Sequence, residues 1–94
     1  MPSGTTSRML FWVYVLESTR DEDRYVGYTV DVNKRLKEHK DGKVFSTKGR
    51  RPLKLIYLEA CTNKEDALRR EKYLKTTYGR RFIAKRLKCY NKGN

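Results

Sequence analysis

The chain has 94 residues, 23 of them Lys or Arg against 11 Asp or Glu, for a formal net charge of +12 at pH 7. That length holds one small domain with a modest core, and no apolar run approaches the roughly 20 residues of a membrane-spanning helix. The positive excess points to a polyanionic partner, nucleic acid first and an anionic membrane surface second, but charge alone does not separate a binder from an enzyme.

Residues 1–8 are small and polar, and they lack the apolar middle of a secretory signal. They are expected to form a disordered leader, native or added, since Met9 would also serve as a start. The folded domain is expected over residues 9–88. Phe11 to Glu17 is an apolar, β-prone run, and a polar turn through Asp21-Glu22-Asp23 leads into a second run, Arg24 to Thr29. The turn length suits an antiparallel hairpin. Asp31 can cap a helix from Val32 to Lys40, which Asp41-Gly42 ends. Lys43 to Arg51 reads as a basic loop closed by Pro52.

Leu53 to Cys61 is apolar on both faces and is expected to be a central or well-covered strand. Thr62 stands three residues before Glu65 in a capping-box pattern, so a long helix is expected from about Asn63 to Thr77. Gly79 is expected to break it, with a last short helix over Arg80–Lys88 and a flexible tail over residues 89–94. The order β-β-α-β-α-α gives an α+β domain: a three-stranded, mainly antiparallel sheet flanked by helices. The two cysteines, Cys61 and Cys89, have no partner at zinc-site spacing, which makes a reduced, cytoplasmic setting the default. With one histidine in the chain, a His-based metal cluster is not expected.

Some residues stand where a core would not put them. At about 100° per residue, Ala67, Leu68, Leu74 and Tyr78 form an apolar stripe with Glu71 in its middle. A carboxylate there needs a partner or a metal. A structural pair with an arginine such as Arg35, a solvated groove and an oxygen-bound Mg²⁺ all fit. His39 lies on the inward stripe of the first helix with Val32 and Leu36, and Arg35, one turn earlier, shares its face. Arg suits bidentate contact with a phosphate. Tyr14 and Tyr25 lie on neighbouring strands where their hydroxyls can converge. Gly27 removes a side chain on the Tyr25 face, a gap that would admit a phosphate or a substrate backbone.

Taken together, these residues resemble the GIY-YIG nuclease family, most closely its small stand-alone bacterial branch. The first triplet stands here as Val13-Tyr14-Val15 and the second as Tyr25-Val26-Gly27. Thr29, Arg35-Leu36…His39, Pro52 before an apolar strand, and Ala67…Arg70-Glu71 continue the match from Met9 to about Leu87. Tyr28 stands where some members carry lysine, and Gly79-Arg80-Arg81 stands near a late asparagine of others.

The resemblance implies that Tyr14 helps deprotonate the attacking water and that Tyr25 hydrogen-bonds the water or the phosphate. Arg35 would stabilise charge on the phosphate, and His39 would assist proton transfer or order Tyr14. Glu71 would hold a single divalent cation, Mg²⁺ or Mn²⁺. A free tyrosine is a poor base at neutral pH, so cationic neighbours and the metal would have to lower its pKa. Around that centre, Gly27, Thr29, Lys43, Ser46, Thr47, Lys48, Arg50 and Arg51 are the expected nucleic-acid contacts, binding backbone more than bases.

The leading expectation is therefore a metal-dependent endonuclease that hydrolyses phosphodiester bonds in DNA, leaving 5′-phosphate and 3′-hydroxyl ends. RNA remains open as a substrate, no membrane partner is expected, and the chain is expected to act as a monomer. A non-catalytic nucleic-acid-binding module on the same scaffold is the alternative. A basic RNA-associated structural protein explains the charge but not the inward His, Arg and Glu.

Overall fold

The structure, a computed structural model, describes residues 9–92. The expected leader and the last two residues of the expected tail lie outside the described residues. Strands β1 (Phe11–Ser18), β2 (Arg24–Thr29) and β3 (Leu53–Cys61) form one antiparallel sheet in the order β2-β1-β3. Helices α1 (Val32–Lys40), α2 (Phe45–Lys48), α3 (Lys64–Leu74), α4 (Thr77–Arg86) and α5 (Lys88–Asn91) flank it. The α+β class and the three-stranded sheet are as the sequence predicts.

Strand β1 is the middle strand, and Val13 through Ser18 are all buried. Alternation along a strand sends successive side chains to opposite faces. Val13 and Val15 point into the main core, with Ala67 and Leu74 from α3 and Ile83 from α4. Tyr14 and Leu16 point the other way, toward α1. One strand thus builds the core with its odd positions and faces His39 with its even ones.

Four local expectations need correction. Strand β3 lies at an edge of the sheet, not at its centre, and Leu55 and Leu58 stay exposed. Its second apolar face reflects a bulge opposite Val15 and Leu16, where the register skips Ile56, rather than cover on both sides. Asn63, not Thr62, caps α3: its side chain accepts from the Asp66 amide at 3.1 Å. The α3–α4 break comes at Thr76, whose hydroxyl accepts from Gly79 N at 3.1 Å and donates to Tyr73 O at 2.6 Å.

Gly79 itself lies inside α4, where a Cβ would stand 2.1 Å from Tyr73 O. It is a close-packing glycine rather than a helix breaker. The last correction concerns the basic loop and the tail, each of which carries one turn of helix, α2 and α5. The tail turn is tied down: Tyr90 donates to Glu17, and Arg24 donates to Asn91 Oδ1 at 2.6 Å.

The basic loop is fastened to the end of β1. Ser18 is fully buried and donates to Arg50 O at 2.7 Å, and the Thr19 amide donates to Pro52 O at 2.9 Å. Arg20 reaches Gly49 O at 3.1 Å. These bonds fix the segment just after α2 to the end of β1.

Candidate active site

Tyr14 is fully buried at the centre of the sheet, and its hydroxyl lies 2.8 Å from His39 Nε2. Asp31 makes this meeting possible by capping α1 through the Lys34 amide at 3.1 Å, which starts the helix so that its third turn brings His39 over β1. His39 is itself buried, and its Nδ1 lies 2.7 Å from Thr47 Oγ1 of α2. Tyr25 packs its ring against His39 at 5.3 Å between centroids, and against Tyr14 at 6.3 Å. Tyr14, Tyr25 and His39 therefore stand together with their rings in mutual contact.

Gly27 stands directly opposite Tyr14 across β1 and β2. A Cβ there would lie 2.3 Å from the Tyr14 phenol carbon and oxygen. The gap expected to admit a phosphate is filled by the tyrosine ring, so Gly27 seats the phenol. Thr47 is corrected in the same way, because a fully buried hydroxyl bonded to His39 is not a surface contact for phosphate. Thr29 turns its hydroxyl to the Asp31 backbone, accepting from Asp31 N at 3.0 Å, and so helps form the start of α1.

Arg35 donates to Glu38 at 2.9 Å, and its guanidinium is near enough to Tyr14 to act on the phenol electrostatically. These two partners, Glu38 foremost, raise the guanidinium's pKa further above its usual range. Burial pushes the Tyr14 phenol up to about 12, against the lowering effect of the Arg35 guanidinium; the nearby Glu71 carboxylate adds a small upward push. At rest Tyr14 is thus a weaker acid than a free tyrosine, because desolvation outweighs its cationic neighbour. Burial and the Arg35 charge depress His39 to about 4, so the imidazole is neutral at physiological pH.

Glu71 is half-buried, and its partner is Lys75 Nζ at 3.2 Å one turn on, not Arg35. Ala67 and Leu74 are buried beside it in sequence, whereas Leu68 and Tyr78 of the expected stripe are exposed. Among the described residues no three His, Cys, Asp or Glu side chains gather as a metal cluster. A lone carboxylate does fit Mg²⁺, which keeps several waters and takes one or two carboxylates together with phosphate oxygens.

The basic surface divides into paired and unpaired charge. Arg50 pairs with Asp23 and lies 3.7 Å from Asp21, and Arg51 caps the Lys48 and Lys40 carbonyls. Lys43, Ser46 and Lys48 are on the α2 side. Phe45 is 88% exposed there, with Lys48 Nζ 5.9 Å from its ring centre. Glu38 and Lys75 are site neighbours that sequence reasoning misses. Their spacing from Arg35 and Glu71, three and four residues along one helix face, is the signal that could have found them.

A tyrosine on the middle strand, hydrogen-bonded to a buried histidine and flanked by arginine and a helix carboxylate, defines a small basic α+β domain with a polar centre set into its sheet. The chain belongs to the GIY-YIG family: residues 10–86 match the model of the GIY-YIG catalytic domain, the mark of a nuclease family. A UPF0213 protein of Syntrophus aciditrophicus is 44% identical over 66 residues, covering 68% of this chain and 75% of that protein. A UPF0213 protein of Bacillus licheniformis is 46% identical over 65 residues, covering 68% and 66%. The solution NMR structure of the UPF0213 protein BH0048 from Bacillus halodurans is similar at a TM-score of 0.53 and 36% identity, over 82% of this chain and 84% of that one. No helix among the described residues is long and apolar enough to cross a membrane.

Proposed function

We propose that the chain is a Mg²⁺- or Mn²⁺-dependent endonuclease that hydrolyses phosphodiester bonds in DNA. The observation that carries this reading is the Tyr14 oxygen, held 2.8 Å from His39 Nε2 in a space that Gly27 leaves open for it, with the Arg35 charge nearby. Such an oxygen is preorganised to carry negative charge and to take a proton from an attacking water. Tyr25, beside it, positions that water or a phosphate oxygen. Arg35 lies at the half-exposed rim of the site, where a guanidinium can also meet a phosphate.

Glu71 is the residue that would hold the cation. When bound, the metal supplies positive charge that favours both the phenolate and the charge gathering on the phosphate. Lys43 and Lys48 offer the nucleic-acid backbone two cations, and the Phe45 ring offers a face for a base.

A non-catalytic nucleic-acid-binding module is the second reading, favoured by the Glu71–Lys75 pair, which already neutralises the carboxylate. Incubating the chain with labelled single-stranded, duplex and flap DNAs, with Mg²⁺ or Mn²⁺ against EDTA, separates the two. The nuclease reading expects metal-dependent cuts that Glu71→Gln abolishes while DNA affinity persists. Binding without cuts on every one of these DNAs leaves the module.

A further inference from the structure

Helix α2 packs through one side and leaves the other to solvent. Val44, its cap, and Thr47 are buried, and the Thr47 hydroxyl lies 2.7 Å from His39 Nδ1. Phe45, two residues before Thr47, stands on the opposite side of the turn. It is 88% exposed, more than any other large apolar side chain described. The backbone beneath it is fixed: the Thr47 and Lys48 amides donate to Val44 O at 3.1 and 2.9 Å, and Arg51 Nε donates to Lys48 O at 3.0 Å. A phenyl ring held out on a fixed turn gives up the burial it would gain in a core.

The surroundings of the ring decide what it fits. Residues 43–51 carry four cationic side chains, Lys43, Lys48, Arg50 and Arg51, and no acidic one. Arg50 pairs with Asp23, while Lys43 and Lys48 stand exposed before and after the ring in sequence, with Lys48 Nζ 5.9 Å from the ring centre. Ser46 and Gly49, also exposed, add no apolar side chain beside it. A protein docking patch needs contiguous apolar surface around its anchor, and here the ring stands alone among polar groups. A nucleotide needs a different set: an aromatic face for the base and cations for the neighbouring phosphates. In a duplex each base already stacks on its neighbours inside the helix, so only an unpaired base can lie on the ring.

We infer that Phe45 is a stacking platform for one unpaired base of DNA, with Lys43 and Lys48 meeting the phosphates beside it, so that the chain prefers single-stranded or flap DNA to duplex. The inference takes its ligand from the proposed nuclease reading, but its test needs no cleavage. Because the ring stands across the turn from His39, the stacked base belongs to the strand flanking the scissile phosphate, not to the nucleotide being cut.

Fluorescence anisotropy of the full chain with a labelled oligothymidylate, and with a duplex of equal length, in EDTA at low salt, tests this. The unmodified chain should bind the single strand more tightly; equal or tighter binding of the duplex overturns the inference. Phe45→Ala should weaken single-strand binding by roughly 5- to 150-fold, the loss of one stacked base, and Phe45→Trp should restore it. The slope of log affinity against log salt should stay, because no phosphate contact is removed. The ring lies outside the core, so the urea midpoint of Phe45→Ala should also stay, which separates lost stacking from lost fold. An unaltered single-strand affinity in Phe45→Ala overturns the inference, and so does an equal loss on the duplex. Vesicles containing phosphatidylserine form a control: a ring needed for vesicles but not for single-stranded DNA is a membrane contact, which overturns it too. Cleavage is read separately with Mg²⁺. If the unmodified chain binds but cuts none of the DNAs, the nuclease reading fails while the anisotropy still decides the stacking site.

Discussion

Acid should destabilise this fold through one residue, and the size of the effect follows from the burial of His39. In the unfolded chain a histidine titrates near its ordinary value of about 6.5. In the fold, desolvation first and then the Arg35 charge hold His39 down to about 4. Between those values the unfolded chain binds a proton that the folded chain refuses, so stability is present above about pH 6.5 and is lost as pH falls toward 4. From pH 7 to pH 5, before most carboxylates titrate, the loss amounts to about 2 kcal/mol. For a domain of this length that corresponds to roughly 8–16 °C in Tm. The assay is urea unfolding followed by circular dichroism at pH 7, 6 and 5, with His39→Gln as the reference that can still hydrogen-bond but cannot titrate. The unmodified chain should lose stability across that range while His39→Gln stays nearly level. Parallel profiles would refute the argument, since the acid sensitivity would then belong to other groups.

Tyr14→Phe should lower the cleavage rate by roughly 10²- to 10⁴-fold, the ordinary contribution of a positioned acid or base, and leave the circular dichroism spectrum unchanged; a rate equal to that of the unmodified chain excludes Tyr14 as the base. Gly27→Ala should act on the same residue from outside, because a methyl 2.3 Å from the phenol forces the ring to move. Overpacking of this kind costs about 1–3 kcal/mol, so a lower urea midpoint together with slower cleavage is expected, and an unaltered midpoint would show that the phenol has room. Neutralising Lys43 and Lys48 together should lower the slope of log binding against log salt by about 1 to 2, roughly one unit for each phosphate no longer neutralised. Arg50→Gln should instead lower stability, because Arg50 anchors the loop to Asp23; weaker DNA affinity at unchanged stability would reverse that assignment.

The parts of the fold that are legible in the sequence are those with a period. The β1–β2 hairpin announces itself by β-branched and aromatic runs around a polar turn, and α1 by a cap followed by an inward stripe. What escapes is set by tertiary context. Helix α2 has four residues, too few to display a helical period, and is held by hydrogen bonds from Ser18 and Arg20 that no local pattern encodes. Leu53–Cys61 looks central because its apolar residues fall on both faces, yet a bulge shifts the alternation and the strand lies at an edge. Gly79 reads as punctuation but answers to Tyr73 and Leu74 across a helix junction.

The site divides along the same line. Tyr14, Tyr25 and His39 are legible because strand alternation and helix spacing fix where each points. The parts of Gly27 and Thr47 are not. Gly27 takes its meaning from the residue opposite it, which needs the strand register. Thr47 takes its meaning from a turn whose sequence looks like loop. Both resemble places for a phosphate to land, and both serve the tyrosine and histidine from within.

The alternation of β1 has a consequence for how this chain can vary. A slip of one residue in the pairing of β1 would exchange its two faces, sending Tyr14 among Ala67, Leu74 and Ile83 and presenting Val13 or Val15 to His39. The misfolded sheet would part the tyrosine from His39 and bury a phenol without a partner in one step. Inactive but well-folded slipped forms are therefore penalised by packing itself. An insertion or deletion within Val13–Leu16 would strike both faces together, whereas one in the hairpin turn at residues 19–23 would leave the alternation of β1 in place and loosen instead the basic loop that Thr19, Arg20 and Asp23 hold.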